Sequence, residues 1–581
     1  MKVFLVSWFY VILAFLTGYI SYLYFGWSVF NFAIVLVFFL SFFVYSSALP
    51  LGSKRSKVAS STLAVIYTSL CALIKLPLFF TGGLSGLTLL LVSVVIFLFS
   101  LSALRFIFFK LESFDIGIGN CRVLPLRKTL ILFFCVTLFI LFAYIPFYLS
   151  DFPGVMVTDS RNELKMIQGL IPMNDNHPLA HTMMIKVLFS LGELIAPASE
   201  NAGIICYCTV QMLFVSAVFS YAIVTMYKCH IKWWFILLSL CFFAFMPYNS
   251  TQSYIVWKDT PFSLCVLALS VTLWNIVYKR RQGQLPDWFD TTIYFLSSFG
   301  VCMFRHNGIA AFLPVAAILV FMYFRSSLKL TVASLLVLSL FAFYKGPLLN
   351  ILHLRSHDTV EALSLPIQQM SQAIIDGVEL TEEEYVFLSS CVDIEQIPAE
   401  FNPAVSDPIK SLFRQTDPNG EFLSANKVEF FRLYLNLALR CPKSYITAYI
   451  NQTIGYWYPD MESVVLMTHT LEENALSPLS HELWVKLRSF TFKYYGIPYF
   501  GLLFSSGGVL WICIFLVGLA AVRKNWLELL VVLPSLCIVA SILVGTAVNN
   551  EMRYVYSMFT CLPLFFMAAF GGNHSKSQTR A

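Results

Sequence analysis

Apolar runs of about 17 to 25 residues, separated by short polar turns, recur from the first residues of the chain almost to the last. Each is long enough to cross a hydrocarbon core of roughly 30 Å as a helix, which satisfies its own backbone hydrogen bonds in lipid. Hydropathy predicts about fourteen spans, near 3–24, 27–47, 60–80, 85–106, 127–149, 201–227, 231–248, 259–278, 289–304, 308–324, 330–350, 501–521, 526–546 and 554–570. The first, opening on Met1 and Lys2, is too long for a signal-peptide core and reads as a retained span. The stretch 177–195 is apolar but contains His177, Pro178, Lys186 and Glu193, and reads as an interfacial helix. The fold class expected is an all-α polytopic membrane protein.

The interval 351–500 breaks this rhythm and reads as a mainly helical domain outside the bilayer. Thr381 with Glu384 forms a capping box, Ser424 precedes the amphipathic run ANKVEFFRLYLNLALR, and Pro442 suits the first turn of the next helix. The chain thus divides into a four-span extension (1–110), a membrane core (127–350) with a large loop at 150–200, the domain at 351–500, and a three-span segment (501–571).

Composition agrees with lipid as the solvent. Of 581 residues, 58% are hydrophobic and 12% charged, where a soluble globule would carry about 25% charge. No basic stripe points to nucleic acid. Of the fourteen cysteines, ten fall in predicted spans, which suits packing rather than a disulfide framework, and the pairing of Cys391 with Cys441 is left open.

Lysine and arginine set the orientation, because short cytoplasmic loops retain them. With both termini inside, the inner segments hold twenty, among them Lys54, Arg55, Lys57, Lys279, Arg280, Arg281, Arg523 and Lys524. The short outer segments hold six, Arg161, Lys165, Lys186, Lys258, Arg305 and Arg553, or eight if Lys75 and Lys345 near outer helix ends are counted. The domain at 351–500 is then extracytoplasmic and acidic, with nineteen Asp and Glu against ten Lys and Arg.

This topology gathers the candidate chemistry at one surface. Asp159 and Ser160 follow the fifth span, Lys258 and Asp259 open the eighth, and Arg305, His306 and Asn307 form the turn after the ninth. Asn549, Asn550, Glu551 and Arg553 precede the last span. Single cations at span ends commonly snorkel or anchor, but Lys258, Arg305 and Arg553 lie on the side that the positive-inside bias depletes. Three cations beside an acidic loop suit an anionic ligand, such as a phosphate held at the membrane surface. Gly154 and Gly308 are assigned to tight turns.

The ordered motifs PGVMVTDS, NHPLAHT, WKDTPF, FRHNG, SLPIQQMS, NPAVSDPIK and NEMRYVY, covering about 127–570, resemble a family of bacterial membrane proteins in the GT-C glycosyltransferase superfamily. More distantly the chain is similar to the protein mannosyltransferases and the lipid A aminoarabinose transferases. The resemblance implies a GT-C-like helical bundle, a polyprenyl-phosphate-linked sugar as donor, an extracytoplasmic glycan, glycolipid or protein as acceptor, and a catalytic acid in the first large outer loop, which Asp159 matches. A carboxylate there would deprotonate the acceptor hydroxyl, while Lys258, Arg305 and Arg553 would receive the departing phosphate. Ser160, His177, Asp259, His306, Asn307, Gln368, Gln369, Glu551 and Arg553 complete the expected substrate-binding set, with amides suited to sugar hydroxyls. Many relatives carry paired acids where this chain has Asp159 and Ser160, so a divalent metal at Asp159 is left open; Asp151 and Asp175 rank below it. Two rival readings are a flippase for lipid-linked saccharides and a non-catalytic assembly protein of the cell envelope.

Overall fold

The computed structural model describes residues 10–20, 52–119, 124–197, 199, 201–354, 359–418, 420–459 and 501–571. The expected span at 27–47, much of that at 3–24, and residues 460–500 of the outer domain lie outside them. Among the described residues, eight helices are long and apolar enough to cross a membrane, or nine with one bent pair, and three shorter apolar helices fall on further expected spans. The chain is a multi-pass membrane protein. The stretch expected at the interface is the 17-residue helix Leu179–Ile195, which packs on helix Ala202–Lys228.

Helix Asp259–Arg281 is the centre of the bundle, contacting Trp288–Phe304, Met552–Phe570 and Ala202–Lys228. It carries Ser263, Ser270 and Thr272 among its buried residues. Gly300 permits close approach: a Cβ there would lie 2.4 Å from the Cys265 sulfur. Peripheral helices show the opposite character. Leu126, Leu130, Phe134, Leu138 and Phe142 lie four apart along helix Leu126–Ser150 and are all exposed. In water such a stripe would cost roughly 25 cal/mol per Å², a cost that lipid removes.

The expected span at 231–248 breaks instead into Trp233–Phe245 and Pro247–Ser253, which meet at 50°. Pro247 ends the first helix because its nitrogen cannot donate. The irregular backbone that follows is buried, and non-helical chain inside a bundle needs internal partners. Gln211 supplies them: its side-chain amide donates to the carbonyls of Gln252 (3.2 Å), Ser253 (3.1 Å) and Ile255 (2.7 Å).

The described part of the outer domain, 359–459, has its own apolar core, including Ile367, Met370, Leu412, Phe413, Phe430 and Leu437. The capping box of Thr381 and Glu384 is present, and Pro442 opens helix Pro442–Trp457. The amphipathic run, however, starts a new helix at Lys427 after a break at Asn426, so Ser424 is not its cap. Cys391 and Cys441 are both free thiols.

Candidate functional site

Two short strands build the site. Val155–Met156 and Ile255–Val256 pair in parallel, Val155 opposite Ile255 and Met156 opposite Val256. Each leads into a helix, so Asp159, in the first turn of Thr158–Ile167, and Asp259, in the first turn of Asp259–Arg281, emerge at corresponding positions. Helix dipoles favour negative charge at both places. Ser160 is buried and donates its hydroxyl to the Val256 carbonyl, fastening the first helix to the second strand.

Around these carboxylates the cations converge. Lys258 Nζ lies 3.7 Å and Arg553 Nη1 3.6 Å from Asp159 Oδ2. Arg553 also lies 3.9 Å from Asp259 Oδ2, pairs with Glu551, and stacks over Trp257 at 4.2 Å. Arg305 Nη1 donates to Asp259 Oδ1 at 2.5 Å, and its guanidinium sits 4.8 Å from the Tyr554 ring centre. Asp259 is fully buried, and among the described residues no hydrogen-bond donor reaches its Oδ2. The space between Asp159, Asp259 and Glu551 is thus taken by a guanidinium. Among the described residues, no group of three or more His, Cys, Asp or Glu side chains is arranged to hold a metal ion.

The loop after Asp159 is fixed at several points. Lys258 donates to His177 Nδ1 at 2.8 Å, so His177 is a neutral acceptor. A π-helical turn, Tyr344–Leu348, brings Tyr344 and Lys345 onto the buried Asp175. Lys345 reaches Asp175 at 2.6 Å and His306 Nδ1 at 2.8 Å, and His306 Nε2 donates to the Asp175 carbonyl at 2.9 Å. Asn307 donates to Ser541 at 2.8 Å. One turn beyond Asp159, buried Glu163 accepts from His181 Nδ1 at 2.7 Å and Thr182 at 3.0 Å, while His181 Nε2 meets the Tyr207 hydroxyl at 2.9 Å.

These groups line a cavity of about 1070 Å³, the size of a small-molecule site. Asp159, His177, Lys258, Arg305, His306, Asn307, Glu551 and Arg553 form its bundle side, and Thr359, Glu361, Asp407, Arg414 and Lys427 form its opposite side. The outer domain is tied down beside Arg553: Ser406 N donates to the Ala547 carbonyl and Asn549 N to the Ala404 carbonyl, both at 2.9 Å. The motifs NPAVSDPIK and NEMRYVY therefore meet in space.

Electrostatics separates Asp159 from Glu551. Burial would raise the Asp159 carboxyl, but the charges of Lys258 and Arg553 outweigh it and hold it down at about 2. Burial raises Glu551, and Asp259 and Asp159 add to that against the pull of Arg553. His177 is lowered by burial and by the Lys258 charge.

Most of the candidate residues thus come together, and others have different work. Gln368 and Gln369 are buried in the outer domain and do not line the cavity. Gln368 donates to the Asn402 carbonyl, and Gln369 donates to that of Tyr445 at 3.1 Å while accepting from Tyr434 at 2.7 Å. Gln369 is engaged on both sides within the domain, whereas Gln368 Oε1 is buried with no hydrogen-bond partner among the described residues, and neither amide reaches the cavity where a sugar contact was expected. Ser160 and Asp259 likewise position others from beneath the surface. Asp151 accepts from the Tyr254 hydroxyl at 2.9 Å. Gly154 does take a left-handed turn, with φ 125°. Gly308 also closes a turn, its N–H donating to the Arg305 carbonyl at 3.0 Å, and it packs closely as well, since a Cβ there would strike the Val301 carbonyl at 1.8 Å. Sequence reasoning passed over Lys345, Glu361, Asp407, Arg414 and the Glu163–His181 pair. Asp407 stood inside a motif already noted, and Glu163 follows Asp159 by one helical turn, so both left a signal.

Residues 170–581 match the model of a family described as "Family of unknown function (DUF6020)". No curated protein matches the chain, and no solved structure does.

Proposed function

From the premise that the chain belongs to the DUF6020 family, whose description assigns no activity, we propose that it is a membrane glycosyltransferase with a polyprenyl-phosphate-linked sugar as donor. The acceptor is an extracytoplasmic glycan, glycolipid or protein, and the cavity faces the outer side of a cell membrane with both termini cytoplasmic. The observation that carries this reading is the Asp159 carboxylate facing Lys258 and Arg553, with Arg305 beside them, in one cavity at the end of a membrane bundle. A flippase would need charges along a path through the spans; the central helix carries Asp259 and Lys279–Arg281 only at its ends.

In the proposed reaction the acceptor hydroxyl gives its proton to Asp159 and its oxygen attacks the anomeric carbon. The bond from that carbon to the phosphate oxygen breaks on the opposite face, and the electron pair leaves on the prenyl phosphate. Lys258, Arg305 and Arg553 stabilise that developing charge. A carboxyl held at about 2 is a weak base, yet the groups that depress it are those a donor phosphate would engage. A bound phosphate offsets the charge of Lys258 and Arg553, so the Asp159 carboxylate becomes more basic once the donor is in place. Proton transfer is thereby coupled to donor occupancy.

The binding half of this account is testable with farnesyl phosphate, which presents a prenyl phosphate without a sugar. Farnesyl phosphate should raise the thermal midpoint of the purified protein, and farnesol should not. Lys258→Gln should abolish most of that shift. Equal stabilisation by farnesol, or an undiminished shift in the variant, would remove the phosphate from this cavity.

A further inference from the structure

A second recess lies at the end of the bundle remote from the cavity. Helices Lys54–Ile74 and Ser506–Arg523 leave between them a groove of about 890 Å³, walled by Val58, Leu63, Ile66, Ile514, Val517 and Leu536. Lys54, Arg55, Glu112 and Trp526 stand at its mouth. From Lys54 to Ile66 the groove follows about 18 Å of helix, close to one leaflet of a hydrocarbon core of roughly 30 Å. Trp526 is exposed, and tryptophan at such an end marks headgroup depth.

The charge at the mouth is out of balance. Lys54, Arg55 and Lys57 are exposed in the first turn of helix Lys54–Ile74, which has no acidic residue there. Cations at a helix N-terminus oppose the helix dipole, so this placement is unfavourable by itself. No carboxylate among the described residues lies within ion-pair distance of Lys54 or Arg55, and Glu112 is the single acid at the mouth. An anion over this turn would meet two side-chain cations at the positive end of the helix dipole, beside a first turn whose Ser56 N–H is already capped by the Ser53 hydroxyl at 3.2 Å. An apolar channel one leaflet deep continues directly from that point.

We propose that this groove holds an anionic glycerophospholipid of the bilayer, its phosphate over Lys54 and Arg55 and one acyl chain along Val58, Leu63 and Ile66. The single-leaflet depth suits an acyl chain rather than a long polyprenyl chain. The proposal does not depend on the activity assigned to the cavity.

The test is native mass spectrometry of the full chain released from nanodiscs of phosphatidylcholine doped with phosphatidylglycerol. The wild type should retain phosphatidylglycerol in preference to phosphatidylcholine. Lys54→Gln with Arg55→Gln should weaken that retention by about tenfold or more. Val58→Trp, which fills the channel and leaves the charges, should also lower it. Arg325→Gln, at an exposed cation that does not line the groove, should leave it unchanged. Retention without preference for phosphatidylglycerol, or retention unaffected by both groove variants, would overturn the proposal. So would displacement of phosphatidylglycerol by farnesyl phosphate, or occupation of the groove by the chain's own residues 21–51 shown by crosslinking to a cysteine placed at Val58.

Discussion

Arg305 illustrates how one residue's role changes with its partner. As a cation on a turn it suits a donor phosphate, but its shortest contact is with the fully buried Asp259 at 2.5 Å. Removing one member of a buried pair leaves an uncompensated charge, at a cost of about 3–5 kcal/mol. Arg305→Ala should therefore lower the thermal midpoint markedly, and adding Asp259→Asn should restore part of it; independent losses in the double variant would separate the two residues. His177 offers a pH test. Its folded pKa lies below 6.5, so its contribution to stability is present above 6.5 and is lost as pH falls through the depressed folded value. Between pH 7 and 5 the midpoint of His177→Gln should decline less steeply than that of the wild type, and parallel declines would show that His177 does not titrate this way. Asp159, Lys258, Arg305 and Arg553 were legible in the sequence because charges at span ends stand out against an apolar background. Gln368 and Gln369 were not, since an amide serves sugar or backbone equally well until the fold supplies its partner.

At the scale of elements, most spans were readable because a run of apolar residues has few alternatives in lipid. The exceptions are where the helix breaks. The bend at Met246 and Pro247 lies inside an apolar run, and the buried stretch to Lys258 depends on Gln211, some forty residues earlier. The π-helical turn that swings Lys345 onto Asp175 also leaves no mark in hydropathy. Gln211→Leu should strand the carbonyls of Ser253 and Ile255, each lost partner costing about 1–3 kcal/mol, while that of Gln252 keeps the Thr260 hydroxyl at 3.0 Å. Its expected result is a lower thermal midpoint together with weaker farnesyl phosphate binding, because Lys258 is displaced. Loss of stability with unchanged binding would mean that the segment holds Lys258 by other means.

For the whole molecule, the cavity is closed by an outer domain tied to the loop before Arg553, by Ser406 and Ala404 on Ala547 and Asn549 and by the Gln452 and Tyr456 side chains on the carbonyls of Thr546 and Val548. Hydropathy could locate that domain but not which of its faces meets the bundle, since the contacts are hydrogen bonds to the backbone of a loop distant in sequence. The proposed orientation makes its own prediction. A single cysteine at Glu395 should react with an impermeant maleimide on intact cells, and one at Arg325 only after permeabilisation; the reverse pattern would invert the topology. The most direct measurement of the central claim is sugar transfer itself. Membranes containing the wild-type chain, given a panel of radiolabelled polyprenyl-phosphate sugars, should release prenyl phosphate and label an acceptor. Asp159→Asn, at equal abundance and still binding farnesyl phosphate, should transfer at a rate about 10²-fold lower or less. Transfer at the wild-type rate in that variant would contradict the account.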